Sequence, residues 1–397
     1  MIRKLGKQRI IYSKKINKQD ERTRDDKQIY KEDETHEYEE THGDEINEIE
    51  RIEREIKEIE RIEREIKEIE ETEQKSQLLF ICAQPDETYF HWQVKLYLHN
   101  FTKYVDKEQC YAIFGYKDNP SEEIIKLKEE YPHIYWYKDE REDKRTYISS
   151  IRPFLLKKFF KDKPYVGKLF FYHDSDILFR KFPDFNKMIH DDQNYLSDTI
   201  GYIGSRYIKI RCKKCKRGND YLPENDLLNK MAECIGLPVE VIEKNQDNSG
   251  GAQYLLKDID WTFWEKCETD CIKLYKLMDD YMKKHTGGDC RIQKWCSDMW
   301  CLLWNLWKID RKTIVDPELS FSWAPGSIEK YNRHNIFHLA GINDSNCEGK
   351  FYKGKFVHRC PIKLLRNNSK YFDYVSKDNA TYKYIENMKD YIKSNTI

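Results

Sequence analysis

The chain has 397 residues, of which 39% are hydrophobic, 14% aromatic and 35% charged, and its 70 basic side chains balance 70 acidic ones. This composition indicates a globular protein with a sizeable core and excludes a collagen. No apolar run approaches the roughly 20 residues that span a bilayer, and the first 19 residues lack the apolar stretch of a secretory signal. We therefore expect a cytoplasmic protein. Zero net charge argues against bulk nucleic-acid binding, which normally needs a basic excess.

Basic and acidic residues are unevenly distributed along the chain, although their totals are equal. Residues 1–30 carry ten basic and four acidic groups (net +6), residues 31–76 carry eight and twenty (net −12), and the remainder carries 52 and 46 (net +6). Nearly all aromatic residues lie beyond residue 76, so the apolar surface that can offset chain entropy is concentrated there. We predict a folded domain over 77–345 and a C-terminal extension over 346–397 that packs on it.

Two segments precede the folded domain. Residues 1–45 are polar, and we predict that they are disordered. Within 46–76, the ten residues of 51–60 recur unchanged at 61–70, and the isoleucines stand three or four positions apart, which is helical spacing. Their mean period of about 3.33 is shorter than the roughly 3.5 of a coiled coil, so the apolar stripe drifts around the helix. The segment is predicted to be a charged helix that could form a weak coiled coil and a homo-oligomer.

Twelve cysteines are many for a cytoplasmic chain, where thiols are favoured over disulfides. Cys212 and Cys215 form one CxxC, and Cys267 and Cys271 stand four apart. A structural zinc site normally needs two well-spaced pairs of ligands, and no second CxxC or HxxxH follows. We therefore favour a basic surface loop over 211–216 rather than a zinc site, and we expect most cysteines to be small buried hydrophobic residues.

From residue 77 onward, short apolar runs alternate with segments of helical spacing, which indicates an α/β fold with a mainly parallel sheet. Strands are predicted at 78–83, 110–116, 133–137 and 167–173, and helices between them end near 101, open at 119–123 and cover 148–160. Ligands of such sheets bind beyond the carboxyl ends of the strands. The segments 83–85 and 174–176 fall at such ends.

Asp174 and Asp176 follow a strongly apolar strand and are separated by one residue. If the backbone turns there, both carboxylates can direct oxygen ligands at one cation, and Mg²⁺ and Mn²⁺ prefer oxygen donors. A DxD triplet alone is weak evidence, because such triplets also occur in solvated turns. The apolar residues on both sides make casual surface charge a poor explanation, so we favour a metal site.

The segment NSGGAQYLL at 248–256 couples small residues to an apolar run that resumes the sheet. Gly250 and Gly251 would let the backbone approach a ligand closely, although an ordinary glycine turn gives the same pattern. Gln253 could hydrogen-bond a sugar or could be a satisfied core amide.

Two further polar residues stand in apolar surroundings. Asp298 interrupts the helix-spaced aromatic segment 295–304, where a carboxylate costs free energy unless it is paired, and we favour a functional group over a buried cap. His338 stands among apolar residues just before Gly341. On chemistry alone, a lone histidine of this kind is more often a core residue than a ligand.

In their order along the chain, the strand-to-DSD junction, NSGGAQYLL, the SDMW at 297–300 and the HLAG at 338–341 resemble nucleotide-sugar-dependent glycosyltransferases of the GT-A fold. Over about 77–360 the chain looks most like the hydroxyproline O-arabinosyltransferase and peptidyl-serine galactosyltransferase group and its viral and microbial relatives. The resemblance implies a GT-A, mainly parallel sheet flanked by helices. It also implies Mn²⁺- or Mg²⁺-dependent transfer of a sugar from a UDP-sugar to a hydroxyl group of a protein or glycan.

The same resemblance implies roles for individual residues. Asp174, Asp176 and His338 would hold the metal, with Asp176 the more direct ligand. Asp298 matches the acidic residue near the acceptor and Gln253 the segment near the donor sugar, so these two are the predicted catalytic residues. The positions expected to touch the nucleotide or its sugar are Ala83, Gln84, Arg152, Ser175, Gly250 and Gly251.

Stereochemistry and acceptor are open at this point. An inverting enzyme would need Asp298 as general base, whereas a retaining enzyme could leave the proton to the departing phosphate, and the resemblance favours retention. Since no secretory signal or anchor is recognised, unlike in the plant enzymes, we expect an acceptor in the cytoplasm, that of a host cell if the protein is viral.

Two other classes of function compete with this interpretation. A metal-dependent nucleotidyl- or phosphotransferase would call for a glycine-rich phosphate loop or clustered carboxylates after the first strand, and the segment 83–86 offers neither convincingly. A non-catalytic oligomerising scaffold would keep the fold and lose the chemistry.

Overall fold

The computed structural model describes residues 51–64, 78–142, 146–285, 287–289 and 291–395. The chain divides into two compact units after residue 70. In the first unit, residues 51–64 form a helix, α1, as the repeat predicts. Its isoleucines are half-buried or exposed within the single chain, and Arg61 donates a hydrogen bond to Glu58. The disorder predicted for 1–45 lies outside the described residues.

The second unit contains strands and helices in alternation. The strands are β1 Leu79–Pro85, β2 Cys110–Tyr116, β3 Ile134–Lys138, β4 Leu169–His173, β5 Ile177–Phe179, β6 Asn194–Asp198, β7 Cys215–Arg217, β8 Asp220–Tyr221, β9 Gly250–Lys257, β10 Gly287–Gly288, β11 Thr313–Val315, β12 Phe321–Trp323 and β13 Ile336–His338.

The α-helices of this unit lie between and after these strands. They are α2 Thr88–Phe101, α3 Glu122–Glu130, α4 Ile151–Asp162, α5 Asn186–Ile189, α6 Ile200–Ile203, α7 Ser205–Cys212, α8 Asp226–Ile235, α9 Val239–Lys244, α10 Trp261–Lys284, α11 Ser297–Lys308, α12 Ile328–Asn332, α13 Pro361–Asn367 and α14 Thr381–Ser394. Short 3-10 turns cover Lys107–Gln109, Ile148–Ser150, Pro164–Lys168, Gln246–Asn248, Lys294–Cys296, Pro317–Leu319 and Lys353–Phe356.

The central sheet has seven strands in the order β11-β6-β9-β4-β1-β2-β3. β1, β2, β3 and β4 run parallel, as do β6 and β11, and β9 is antiparallel to both of its neighbours. Two three-stranded sheets, β10-β7-β8 and β12-β13-β5, are separate from it. The predicted α/β class with a mainly parallel sheet is therefore confirmed.

Alternation of side chains along the strands gives the sheet two apolar faces. Phe80, Phe171 and Leu255 are in register on neighbouring strands and face α2, whose Phe101 packs edge to face against Phe80. The next residues along β1 and β4 point to the opposite face, because successive side chains of a strand alternate. That face is covered by α4 and α10. Burial on both faces explains why these strands are continuous apolar runs rather than alternating ones.

Residues 346–395 contribute to a third apolar cluster, which they share with α2 and β13. Phe351 packs against Trp92 of α2 and stacks on Tyr384 of α14, with ring centroids 6.1 and 5.8 Å apart. Phe337 of β13 joins the same cluster. The C-terminal segment is thereby fixed next to the strand that carries His338.

The segment 211–216, predicted to be a basic surface loop, exposes Lys213 and Lys214 but fully buries both of its cysteines. Helix α7 ends at Cys212, and strand β7 begins at Cys215. The Cys212 thiol donates to the carbonyl oxygen of Pro223 at 3.1 Å. Cys215 is disulfide-bonded. The basic composition of this segment therefore did not indicate that its two cysteines are buried.

Within the part of the chain that the structure describes, no helix combines the length and the apolar character that a membrane crossing requires.

Candidate functional site

The DSD turn joins β4 to β5 at the carboxyl edge of the parallel strands. β4 ends at His173, and β5 then pairs antiparallel with β13, so that Ile177 lies opposite His338. The amide of Leu339 donates to the carbonyl oxygen of Asp176 at 3.1 Å. This pairing brings the HLAG segment beside the DSD turn, although the two are far apart in the chain.

Asp174, Asp176 and His338 form one cluster. His338 Nε2 lies 3.3 Å from Asp174 Oδ2 and 3.3 Å from Asp176 Oδ1. Potential ligand atoms of the three residues all lie within 4.8 Å of one another. Asp176 and His338 are buried, while Asp174 is partly open to solvent. Two carboxylates and an imidazole form a donor set that fits a divalent cation.

The charges in this cluster shift each other's pKa values. Burial alone would lower the pKa of His338, but Asp176 and Asp174 raise it to about 9. Burial alone would raise the pKa of both carboxyl groups, yet Arg152 lowers that of Asp174 and Lys353 lowers that of Asp176. The two carboxylates thus favour the protonated form of the imidazole. A metal ion bound at Nε2 would have to replace the proton there.

Two cations flank the carboxylates. Arg152 Nη1 lies 3.1 Å from Asp174 Oδ1, and Lys353 Nζ pairs with Asp176 Oδ2. Arg152 is among the residues predicted from the sequence, whereas Lys353 is not. It stands in a lysine-rich segment where no spacing distinguishes it from its neighbours. Only the packing of the C-terminal segment against α2 shows that it reaches the site.

Asp298 lies on the far side of Arg152, in the first turn of α11. The same Arg152 Nη1 is 3.1 Å from Asp298 Oδ2, and the Tyr147 hydroxyl donates to Asp298 Oδ1 at 2.6 Å. Burial raises the pKa of Asp298, and Arg152 and Tyr147 oppose that rise. The carboxylate that the sequence singled out is therefore fully partnered. Tyr147 was not foreseen, because nothing in its neighbourhood marks it.

Gln253 lies in β9 behind His338 and is fully buried. Its Nε2 is placed 3.4 Å from His338 Nδ1, and its Oε1 is 2.6 Å from Ser197 Oγ. The side chain has no exposed surface in this structure, and both ends of its amide contact other buried side chains. The contact with a donor sugar stays a prediction.

The predicted nucleotide contacts on β1 lie at the carboxyl edge, but their side chains are buried. Ala83 is 5% exposed and Gln84 is 2% exposed. Gln84 Nε2 donates to the carbonyl oxygen of Ile113, while its Oε1 has no hydrogen-bond partner among the described residues. Ser175 is also buried, and its hydroxyl donates to Gln93. Direct contact of these residues with a nucleotide would involve backbone atoms or the free Gln84 oxygen.

Gly250 and Gly251 open β9, and packing within the protein explains both. A Cβ atom at Gly250 would lie 2.5 Å from Leu196 Cβ and 2.5 Å from the Ser197 carbonyl oxygen. At Gly251 it would lie 2.6 Å from the end of the Met299 side chain. These contacts are with protein atoms, and the close approach of a ligand to Gly250 and Gly251 stays a prediction.

An aromatic surface borders the cluster on the solvent side. Trp323 stacks on His338 with an interplanar angle of 14°, and Tyr202 meets Trp323 edge on, with ring centroids 5.8 Å apart. The indole of Trp323 is 38% exposed. Gly341, at a φ of +90°, lets the backbone pass close to that indole, because a Cβ there would lie 3.3 Å from it.

On the inner side, a cavity of about 30 Å³ lies between Arg152, Asp298, Tyr254 and Trp264. It has room for one or two water molecules and is too small for a sugar ring. The Tyr254 hydroxyl and Trp264 Nε1 are buried without a hydrogen-bond partner among the described residues, which suits ordered water there.

No family model and no curated protein matches the chain. Solved structures to which it is similar include the bifunctional glycosyltransferase WbbM, at 10% identity and a TM-score of 0.39, covering 67% of this chain and 46% of WbbM. The glycosyltransferase GlyE of Streptococcus pneumoniae has 12% identity and a TM-score of 0.32, covering 80% and 64%. A glycosyltransferase involved in glycosylation of the major capsid of PBCV-1 has 9% identity and a TM-score of 0.29, covering 67% and 95%. The chain thus spans less than two thirds of the first and second of these, and similarity at this level carries no inference about activity.

Proposed function

We propose that the chain is a metal-dependent glycosyltransferase that moves a sugar from a UDP-sugar to a hydroxyl group of a protein or glycan, with retention of configuration. The main support is the convergence of Asp174, Asp176 and His338 at the carboxyl edge of the parallel strands, where ligands of such sheets bind. The resemblance of the ordered motifs to GT-A enzymes supports the same conclusion.

Asp174, Asp176 and His338 are proposed to hold Mn²⁺ or Mg²⁺. Such an ion, when bound, neutralises negative charge that develops on a departing diphosphate. Its binding would compete with Arg152 and Lys353 for the carboxylates that they now neutralise. Both side chains would then be available to donate charge-assisted hydrogen bonds to phosphate oxygens.

The nucleotide is proposed to lie along the carboxyl ends of β1 and β4, near Ala83, Gln84 and Ser175. The unpartnered Oε1 of Gln84 supports this placement, because a buried acceptor without a donor is costly unless a ligand or water supplies one. Gly250 and Gly251 would contribute through the backbone only, since their Cα positions face other protein atoms.

Retention is supported by the partners of Asp298. Its carboxylate accepts hydrogen bonds from Tyr147 and Arg152. A general base must be free to take the acceptor's proton, and this carboxylate is committed on both oxygens. In a retaining transfer the departing phosphate can take that proton instead, and Asp298 holds Arg152 in position.

The acceptor is proposed to approach across Trp323 and Tyr202. The exposed indole offers an apolar surface next to His338 on which a sugar ring or an apolar side chain can pack. Holding the acceptor oxygen near the anomeric carbon is the main contribution that such a surface can make to the rate.

The test is a panel of UDP-sugars incubated with the full-length protein and Mn²⁺, with released UDP as the readout. We expect turnover of one donor, no turnover without metal, and a loss of at least about 100-fold in Asp174→Asn, because a metal ion at the leaving group supplies several kcal/mol. Asp373→Asn, a change to an exposed carboxylate, should leave turnover unchanged. Release of pyrophosphate or transfer of phosphate would indicate a nucleotidyl- or phosphotransferase, and no turnover with no UDP binding would indicate a scaffold.

A further inference from the structure

The hydrogen bonds around Gln253 contain one proton too few in the orientation described above. The Ser197 hydroxyl lies 2.6 Å from Gln253 Oε1 and 2.7 Å from the carbonyl oxygen of Leu319. Both of these oxygens can only accept, and a hydroxyl has a single proton to donate. One of the two short oxygen contacts therefore has no hydrogen between its atoms.

Turning the amide by 180° removes the conflict. The Leu319 carbonyl is part of the backbone and cannot become a donor, so the Ser197 proton belongs to it. The atom of Gln253 that faces Ser197 must then be Nε2, which donates to Ser197 Oγ. The oxygen and nitrogen of a side-chain amide are nearly indistinguishable by position, and their assignment follows from such networks.

The other end of the amide leads to the same orientation. His338 presents Nε2 to Asp174 and Asp176 and Nδ1 to Gln253. If Nε2 coordinates a metal ion, the remaining proton of the neutral ring must be on Nδ1, which then needs an acceptor. An amide nitrogen cannot fill this role, whereas Gln253 Oε1 can.

We infer that Gln253 is a positioning residue that directs Oε1 at His338 Nδ1 and Nε2 at Ser197, and so holds His338 in the tautomer whose Nε2 is free to bind a divalent cation. The chain of contacts runs from the Leu319 carbonyl through Ser197 and Gln253 to the ring. All three side chains are buried, so water does not compete for these bonds. Partners of this kind, behind a metal-binding histidine, fix its orientation and tautomer. The inference rests on the proposed metal site and assigns Gln253 no contact with the sugar.

The first test is nuclear magnetic resonance of the full-length protein with ¹⁵N-labelled histidine in the presence of Mg²⁺. His338 is assigned by the signal that disappears in His338→Gln. We expect its Nδ1 to carry the proton. A proton on Nε2, with Nδ1 unprotonated, would overturn the inference.

The second test measures Mn²⁺ binding alone, by electron paramagnetic resonance of the free ion, in two variants. Gln253→Glu keeps an acceptor for Nδ1 and should retain Mn²⁺ binding, although its second carboxylate oxygen faces Ser197 and removes the donor that the amide supplies there. Gln253→Leu keeps the size but removes the acceptor and should weaken binding about 10- to 100-fold. Equal affinities in Gln253→Leu and the unaltered protein would refute the inference, as would an equal loss in both variants when thermal unfolding shows that both are folded.

These readouts separate the inference from the proposed function. If Mn²⁺ binding depends on Gln253 but the protein releases no UDP, the inference is supported and the proposed transferase activity is refuted. UDP release, together with equal Mn²⁺ affinity in Gln253→Leu and the unaltered protein, would support the transferase and refute the inference.

Discussion

At the scale of single residues, pairing of buried charges shapes the site. Arg152 is shared between Asp174 and Asp298, and Lys353 is committed to Asp176. Burial raises the pKa of all three carboxyl groups, and these cations oppose that rise. The same pairings keep the carboxylates ionised and thus ready to bind a cation.

Tyr147→Phe tests the support of Asp298. The Tyr147 hydroxyl bonds Asp298 Oδ1 at 2.6 Å and the carbonyl oxygen of Trp295 at 2.7 Å. The hydroxyl has one proton, so its removal leaves one of these two acceptors without its donor, and we expect a loss of about 1–3 kcal/mol in the free energy of unfolding. Chemical denaturation measures this. Tyr165→Phe, at an exposed ring, should change little, and equal stability of both variants would show that the hydroxyl is dispensable.

Trp323→Ala tests the proposed approach of the acceptor. Because Trp323 borders the cluster without binding its carboxylates, we expect KM for the acceptor to rise about 10-fold or more, since a stacked aromatic contact contributes roughly 1 kcal/mol beyond the area it buries. Mn²⁺-dependent binding of UDP should be unchanged. A loss of UDP binding with unaltered KM for the acceptor would contradict the proposal.

At the scale of elements, the sequence predicted those parts that local patterns determine. The strands at 78–83, 110–116, 133–137 and 167–173 match β1 to β4 within a few residues, because buried parallel strands are apolar runs bounded by polar turns. The antiparallel course of β9 through the sheet centre had no local signal. Strand order depends on long-range packing, which spacing does not encode.

Some residues of the candidate site could likewise be predicted from local sequence patterns, and others could not. Asp174 and Asp176 could be found because a polar triplet interrupts an apolar run, and Asp298 because it interrupts an aromatic helix. Lys353 and Tyr147 could not, since each reaches the site only through tertiary contacts.

Gly250→Ala tests the packing of β9 against β6. The added Cβ would meet the Leu196 side chain and the Ser197 backbone at 2.5 Å, and backbone cannot move aside cheaply. We expect destabilisation of about 1–3 kcal/mol, measured by thermal unfolding. Gly201→Ala is the matched control, because it lies in a helix with nothing within 4 Å and should stabilise by about 0.5–1 kcal/mol. Equal effects of the two substitutions would contradict the account.

The junction of β1 with α2 and α3 should make stability depend on pH. Burial would raise the pKa of Asp86, but hydrogen bonds from His91 and Ser121 outweigh it and lower the pKa. A carboxyl group whose pKa is lower in the folded protein stabilises it above the unfolded pKa, and that contribution is lost as pH falls through the folded value. We expect Asp86→Asn to lower stability at pH 7 and to flatten the fall of stability below about pH 4. Parallel unfolding curves for the variant and the unaltered protein between pH 7 and pH 3 would refute this.

At the scale of the whole molecule, one observation bears on location. The disulfide at Cys215 is unusual for a cytoplasmic protein, in which thiols are kept reduced. The cytoplasmic location stays a prediction. The C-terminal segment contributes to the candidate site, since its Lys353 pairs with Asp176.

Self-association through the repeat is tested by light scattering of the full-length protein. Ile56 and Ile62 of α1 are exposed, so we expect a weak, concentration-dependent oligomer. Ile56→Glu with Ile62→Glu should abolish it, whereas Glu58→Gln should not. A monomer at all concentrations would contradict the prediction.

The central claim is that Asp174, Asp176 and His338 hold a divalent ion for a nucleotide diphosphate. Calorimetric titration of UDP into the full-length protein, with and without Mn²⁺, tests it most directly. We expect that UDP binds only with Mn²⁺ and that Asp176→Asn abolishes this binding while Asp373→Asn leaves it unchanged. Equal UDP affinity with and without Mn²⁺, or in Asp176→Asn and the unaltered protein, would contradict it.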